Sequence, residues 1–203
     1  MRRKVFDKLA SVGGAIAVVA LVVAGSLLMV GYGFANNYVH TQLSEQQIWF
    51  PPAAAFAHPN GTEITSSMIP SVSQYAGQQL LTGPQAEVYA NDFIAVHLKE
   101  IGGGKTYAQL SNAALALPKG SPAYTAAEGK VQTVFQGTTL RGLLLEAYGF
   151  SLIAEIAFWC GIAAFALAGV LGVLVVLGML HARRTDESEE LLGGHDHQGL
   201  ATA

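Results

Sequence analysis

Two uncharged, strongly apolar stretches constrain this chain more than any other feature. No charged residue occurs between Lys8 and Glu45, and the interior of that interval, Val12 to Phe34, is 23 residues built mostly of Val, Ala, Leu and Gly. The second stretch, Ile156 to Leu180, has 25 residues and no charge. A bilayer core of about 30 Å needs about 20 helical residues, and 25 of them reach about 37 Å. Each stretch therefore reads as a transmembrane helix. Composition agrees, because 51% of the chain is hydrophobic and only 12% charged, against about a quarter charged in soluble domains. Two spans are too few for a large channel or transporter, and they leave room between them for one small domain.

The flanking charges set an orientation. Arg2, Arg3, Lys4 and Lys8 precede the first stretch, and Arg183 and Arg184 follow the second. By the positive-inside rule both termini are expected in the cytoplasm, with the protein multi-pass in the plasma membrane. The expected division is a cytoplasmic N-terminus at 1–11, transmembrane helices at 12–34 and 151–182, an extracytoplasmic helical domain at 35–150, and a disordered cytoplasmic tail at 183–203. A cleaved signal is the alternative for the first stretch, with Gly33-Phe34-Ala35 offering small residues to a peptidase. Its length exceeds the roughly 7 to 15 apolar residues of a signal peptide, which favours a retained span.

Small residues recur in both spans at helical intervals. Gly13, Ala17, Ala20 and Ala24 form one stripe, and Ala164, Ala168 and Gly172 another. Flat stripes let membrane helices approach closely, so the spans are expected to pack with each other, with a second copy, or with other integral membrane subunits.

Punctuation between the spans is helical. Ser44 with Gln47 has capping-box spacing and opens a short turn that Pro51-Pro52 closes. Residues 53–70 read as loop, with His58-Pro59-Asn60-Gly61 a turn. Pro84 at a first helical position and the stop Gly102-Gly103-Gly104 bracket a helix. Thr106 with Gln109 caps another, ended by Pro118, and Ser121-Pro122 opens a third, expected to stop at Gly137. Thr138-Thr139 then caps a helix that no proline interrupts up to Arg184. Strand signals are scarce. The fold class is an all-α membrane protein, two transmembrane helices with a small helical extracytoplasmic domain between them.

Candidate chemistry is sparse. A formal net charge of −3 argues against nucleic acid as a partner. The single cysteine, Cys160, lies in an apolar run and reads as an inert thiol. His40, His58 and His97 lack a second His or Cys at ligand spacing, so no metal and no cofactor is expected. His195-Asp196-His197 has better local ligand chemistry, yet sits in a polar tail where adventitious affinity is expected. Gly102-Gly103-Gly104-Lys105-Thr106 lacks the earlier glycine and the preceding strand of a phosphate loop. Asn60-Gly61-Thr62 fits the glycosylation tripeptide. Trp49, Phe50, Glu155 and Trp159 are the interface candidates, the aromatic residues suited to the headgroup belt of the lipid bilayer and the carboxylate to its boundary.

Several stretches carry a resemblance: Phe6-Asp7-Lys8-Leu9-Ala10, Tyr75-Ala76-Gly77-Gln78-Gln79-Leu80, Phe93-Ile94-Ala95-Val96-His97-Leu98 and Thr139-Leu140-Arg141-Gly142-Leu143-Leu144-Leu145. With the overall length, they resemble a family of uncharacterised two-span membrane proteins of actinobacteria. Members sometimes carry a ring-opening dioxygenase label, for which this sequence shows no cluster of two histidines and a carboxylate. The plan is also similar to the accessory factors of the actinobacterial cytochrome bcc–oxidase supercomplex. Small-residue stripes and an external domain without convergent polar chemistry point to a non-catalytic accessory or assembly subunit of a larger membrane complex, and the resemblance implies a respiratory one. A freestanding sensor or ligand-binding protein is the alternative, and a homo-oligomer would use the same helix stripes. An enzyme would depend on His58, His97 or Glu155.

Overall fold

The computed structural model describes residues 3–61 and 63–184. Arg2, Thr62 and the tail bearing His195-Asp196-His197 lie outside the described residues. Seven α-helices occur among those described: α1 (Arg3–Glu45), α2 (Ala53–Ala57), α3 (Ile69–Val72), α4 (Gly83–Val88), α5 (Ala95–Gly102), α6 (Tyr107–Leu115) and α7 (Pro122–Arg184). A 3₁₀ turn follows α3, and the wider π-helical segment Tyr89–Ile94 joins α4 to α5. Apart from one isolated bridge, Trp49 with Gln79, no extended pairing occurs among the described residues. The fold is all-α, and α1 and α7 are long and apolar enough to cross a membrane.

The chain divides into two compact units, one of residues up to Val30 and from Ala157 onward, the other Gly31–Ile156.

In the first unit α1 and α7 run antiparallel. Asp7 Oδ2 stands 4.0 Å from His181 Nε2, and Ser11 Oγ lies 2.9 Å from where a Cβ would stand on Gly178. Val175 is 2.6 Å from the corresponding point on Gly14, Phe165 3.1 Å from that on Gly25, and the Met29 sulfur 3.1 Å from that on Gly161. Partner numbers fall on α7 as they rise on α1. The inward residues of α1 are Ser11, Gly14, Val18, Leu21, Gly25 and Leu28, those of α7 Gly161, Ala164, Ala168, Leu171, Val175 and Gly178, all buried or half-buried. Both series alternate steps of three and four, the spacing of a coiled-coil seam. Glycine and alanine at these positions let the two backbones come close.

In the second unit the core gathers Val39 and Leu43 of α1, Leu144 of α7, and Phe50, Phe56, Ile64, Met68, Val72, Leu80, Ala86, Ala90 and Ile94 from between them. Met68, Leu80 and Val72 are fully enclosed. An aromatic ladder crosses it: Phe50 lies 5.1 Å from Tyr75 and 5.2 Å, edge-on, from Tyr89, and Phe93 follows Tyr89 at 4.8 Å. Phe50 N–H donates to Gln78 O and Leu80 N–H to Ile48 O, both at 2.9 Å, stitching the segment after α1 to the one before α4.

Three local expectations change. Ser44 does not cap: α1 continues through it to Glu45, its hydroxyl donates to Thr41 O at 2.8 Å, and the turn that follows is closed by Gln47 N–H donating to Ser44 O at 3.2 Å, with Gln47 left-handed at φ 50°. Burial of Val39 and Leu43 favours that extra helical length over the local cap. Residues 53–70, read as loop, contain α2 and the start of α3. Gly137 does not stop a helix, because α7 runs unbroken from Pro122. A Cβ at Gly137 would lie 2.5 Å from Leu98 Cδ2, so this glycine serves close packing of α5 on α7, and Thr139 donates to Phe135 O at 2.9 Å as a mid-helix residue.

Other caps form as read. Thr106 and Gln109 make a reciprocal capping box, Ser121 Oγ accepts from Tyr124 N–H at 3.1 Å, and Gly103 ends α5 left-handed at φ 59°. A further box escaped the sequence reading: Thr82 caps α4, and the buried Gln85 side chain accepts from both Leu81 and Thr82 N–H while donating to Gln78 Oε1.

Candidate interaction surfaces

Residues singled out from the sequence separate into inward and outward groups. Ala164 and Ala168 are buried at 8% and 4% exposure, on the seam between the helices of the first unit. Gly172 is half-buried with open space where a Cβ would stand. On α1 the stripe is out of phase with that seam: Gly13, Ala20 and Ala24 are exposed, Ala17 is half-buried, and the inward positions are Ser11, Gly14 and Gly25. At 100° per residue the two sets lie about a quarter turn apart. Both faces of α1 alternate steps of three and four, so that spacing does not choose between them; the seam face includes the larger Val18 and Leu21, which a search for small residues passes over.

Phe50 is a core residue at 2% exposure, whereas Trp49 stands out at 59% and Trp159 at 61%. Glu155 is exposed on α7, as is Glu146. Cys160 is exposed. Among the polar groups of the second unit, His97 Nδ1 lies 2.9 Å from Phe93 O and its ring packs edge-on against Phe93 at 4.6 Å, which gives it a structural place. His58 is exposed next to α2. No group of three or more His, Cys, Asp or Glu side chains positioned to hold a metal occurs among the described residues.

Two further arrangements involve α7. Arg141 Nη2 donates to Asn91 Oδ1 of the π-helical segment at 2.8 Å, while its Nε is enclosed without a hydrogen-bond partner. Beside the core, α1 and α7 enclose a groove of about 220 Å³, walled by Tyr38, Leu143, Leu144 and Phe150 and edged by Gln42, Gln46 and Glu146. Of its walls, the Tyr38 and Phe150 rings pack against each other with centroids 6.1 Å apart. Such a mixture suits an apolar side chain or small amphiphile with one polar end.

The chain matches no protein-family model, no curated protein and no solved structure.

Proposed function

We propose that α1 and α7 span a membrane, with residues 35–150 outside and both termini in the cytoplasm, and that the protein is a non-catalytic accessory subunit of a larger membrane complex. The bcc–oxidase assembly is the host suggested by the resemblance. The observation that carries the reading is the second small-residue stripe of α1. The antiparallel pair uses Ser11, Gly14 and Gly25, which leaves Gly13, Ala20 and Ala24 bare on a neighbouring face. In lipid, helix association depends on close packing rather than on the hydrophobic effect, so a bare flat face is where another subunit's helix can approach.

A deletion strain tests the reading. Native-gel profiles of its membranes should show a respiratory assembly reduced in amount or shifted in size, restored by the wild-type gene. An unchanged profile and unchanged haem content would overturn it.

The 220 Å³ groove favours a second reading, a ligand-binding membrane protein whose apolar ligand rests in the groove lined by Tyr38, Leu143 and Phe150. That reading requires a Leu143→Trp variant, which fills the groove, to lose function in a strain whose membrane complexes stay intact.

A further inference from the structure

At the end of the first unit where Asp7 meets His181, the two helices leave an open cavity of about 550 Å³ lined by Lys8, Ser11, Val12, Met179, Ala182 and Arg183. Its residues are ordered by depth. Lys8 and Arg183 are exposed and stand at the outer end, one on each helix. Val12 and Met179 lie one helical turn further in, at i+4 and i−4 from those cations. Ser11 and Ala182, at 5% and 4% exposure, are its buried floor. Past Val12 the same side of α1 carries Ile16, Val19 and Val23, each more than half exposed. A cationic mouth that opens onto an exposed apolar strip matches a molecule with an anionic head and a hydrocarbon tail.

We propose that this cavity is a binding site for an anionic phospholipid. The phosphate lies between the Lys8 ammonium and the Arg183 guanidinium, the glycerol region rests over Ser11, and an acyl chain follows Val12 and Met179 along α1. Two cations from opposite helices give a phosphate more than the general attraction of a basic flank, because both reach one headgroup. The bound lipid would also tie the ends of the two helices together. The inference rests on the membrane reading above and adds a ligand to it.

The test is native mass spectrometry of the delipidated full-length chain in detergent, titrated separately with phosphatidylglycerol, phosphatidylcholine and inorganic phosphate. Vesicle flotation runs beside it. Phosphatidylglycerol should be retained in preference to phosphatidylcholine. Lys8→Gln and Arg183→Gln should each lower that retention roughly fivefold. Arg184→Gln removes the same charge from a residue that does not line the cavity, and should leave retention near wild type. Equal retention of both lipids, or an equal loss in the Arg183 and Arg184 variants, would overturn the site. Inorganic phosphate held as well as the lipid would also overturn it, since the tail would then contribute nothing. A chain that fails to float with vesicles of either composition refutes the membrane reading and this site with it, whereas flotation without lipid preference refutes the site alone.

Discussion

Gly83 is a residue whose identity is set by a neighbour far along the chain. A Cβ there would collide with the side chain of Ser151 on α7, so α4 begins against α7 only because this position has none. Gly83→Ala should destabilise the protein by about 1–3 kcal/mol, as overpacking of a filled site does. Thermal unfolding followed by circular dichroism should show Ser151→Gly recovering part of that loss in the double variant. Gly129, exposed in mid-helix with open space around it, predicts the opposite sign: Gly129→Ala should stabilise by up to about 1 kcal/mol, the helix-propensity difference. Tyr89 supplies a pH dependence. Burial holds its hydroxyl above its ordinary pKa of 10.0, so the folded state keeps a proton that the unfolded chain releases. Stability from this group is intact below pH 10 and is lost as the pH rises from there through the raised folded value. Tyr89→Phe should flatten that alkaline decline in denaturation midpoints measured from pH 8 to 11, and a decline as steep as wild type would contradict the assignment. Pro84 was legible as a helix start, but the need for glycine beside it was not, because Ser151 is remote in sequence.

Helix starts and stops were legible where the signal was local and uncontested. Thr106 with Gln109, Ser121 with Pro122, and Gly103 all act as their spacing implies. Ser44 and Gly137 look equally local and do the opposite, because tertiary packing extends the helices through them: Val39 and Leu43 bury the end of α1, and Leu98 fills the space that Gly137 leaves. The caps also differ in what they hold. Thr106→Ala removes one exposed cap and should cost about 1 kcal/mol. Gln85→Ala strips acceptors from two backbone N–H groups and a donor from Gln78 Oε1 in a buried setting. It should cost more, about 2–4 kcal/mol, since unsatisfied buried groups keep their desolvation penalty. Urea titration of both variants checks the order, and a smaller effect at Gln85 would contradict the part given to that network.

For the molecule as a whole, the two long apolar helices were plain from charge-free length and the all-helical plan from caps, stops and scarce strand signals, and the resulting fold is all-α with two helices able to cross a membrane. The seam was half legible. Ala164 and Ala168 were found because small residues line α7 at the right spacing, while α1 divides its small residues between two faces and the more regular stripe is the outward one. That division is the basis of the accessory-subunit proposal. Its most direct test is affinity purification of a tagged full-length chain from native membranes in mild detergent, with mass spectrometry and a reduced-minus-oxidised haem spectrum. Haem-bearing subunits should co-purify stoichiometrically with the wild-type chain and be lost from an Ala20→Leu/Ala24→Leu variant that remains folded and membrane-bound. A haem-free homo-oligomer, or a host retained in full by that variant, would contradict the proposal.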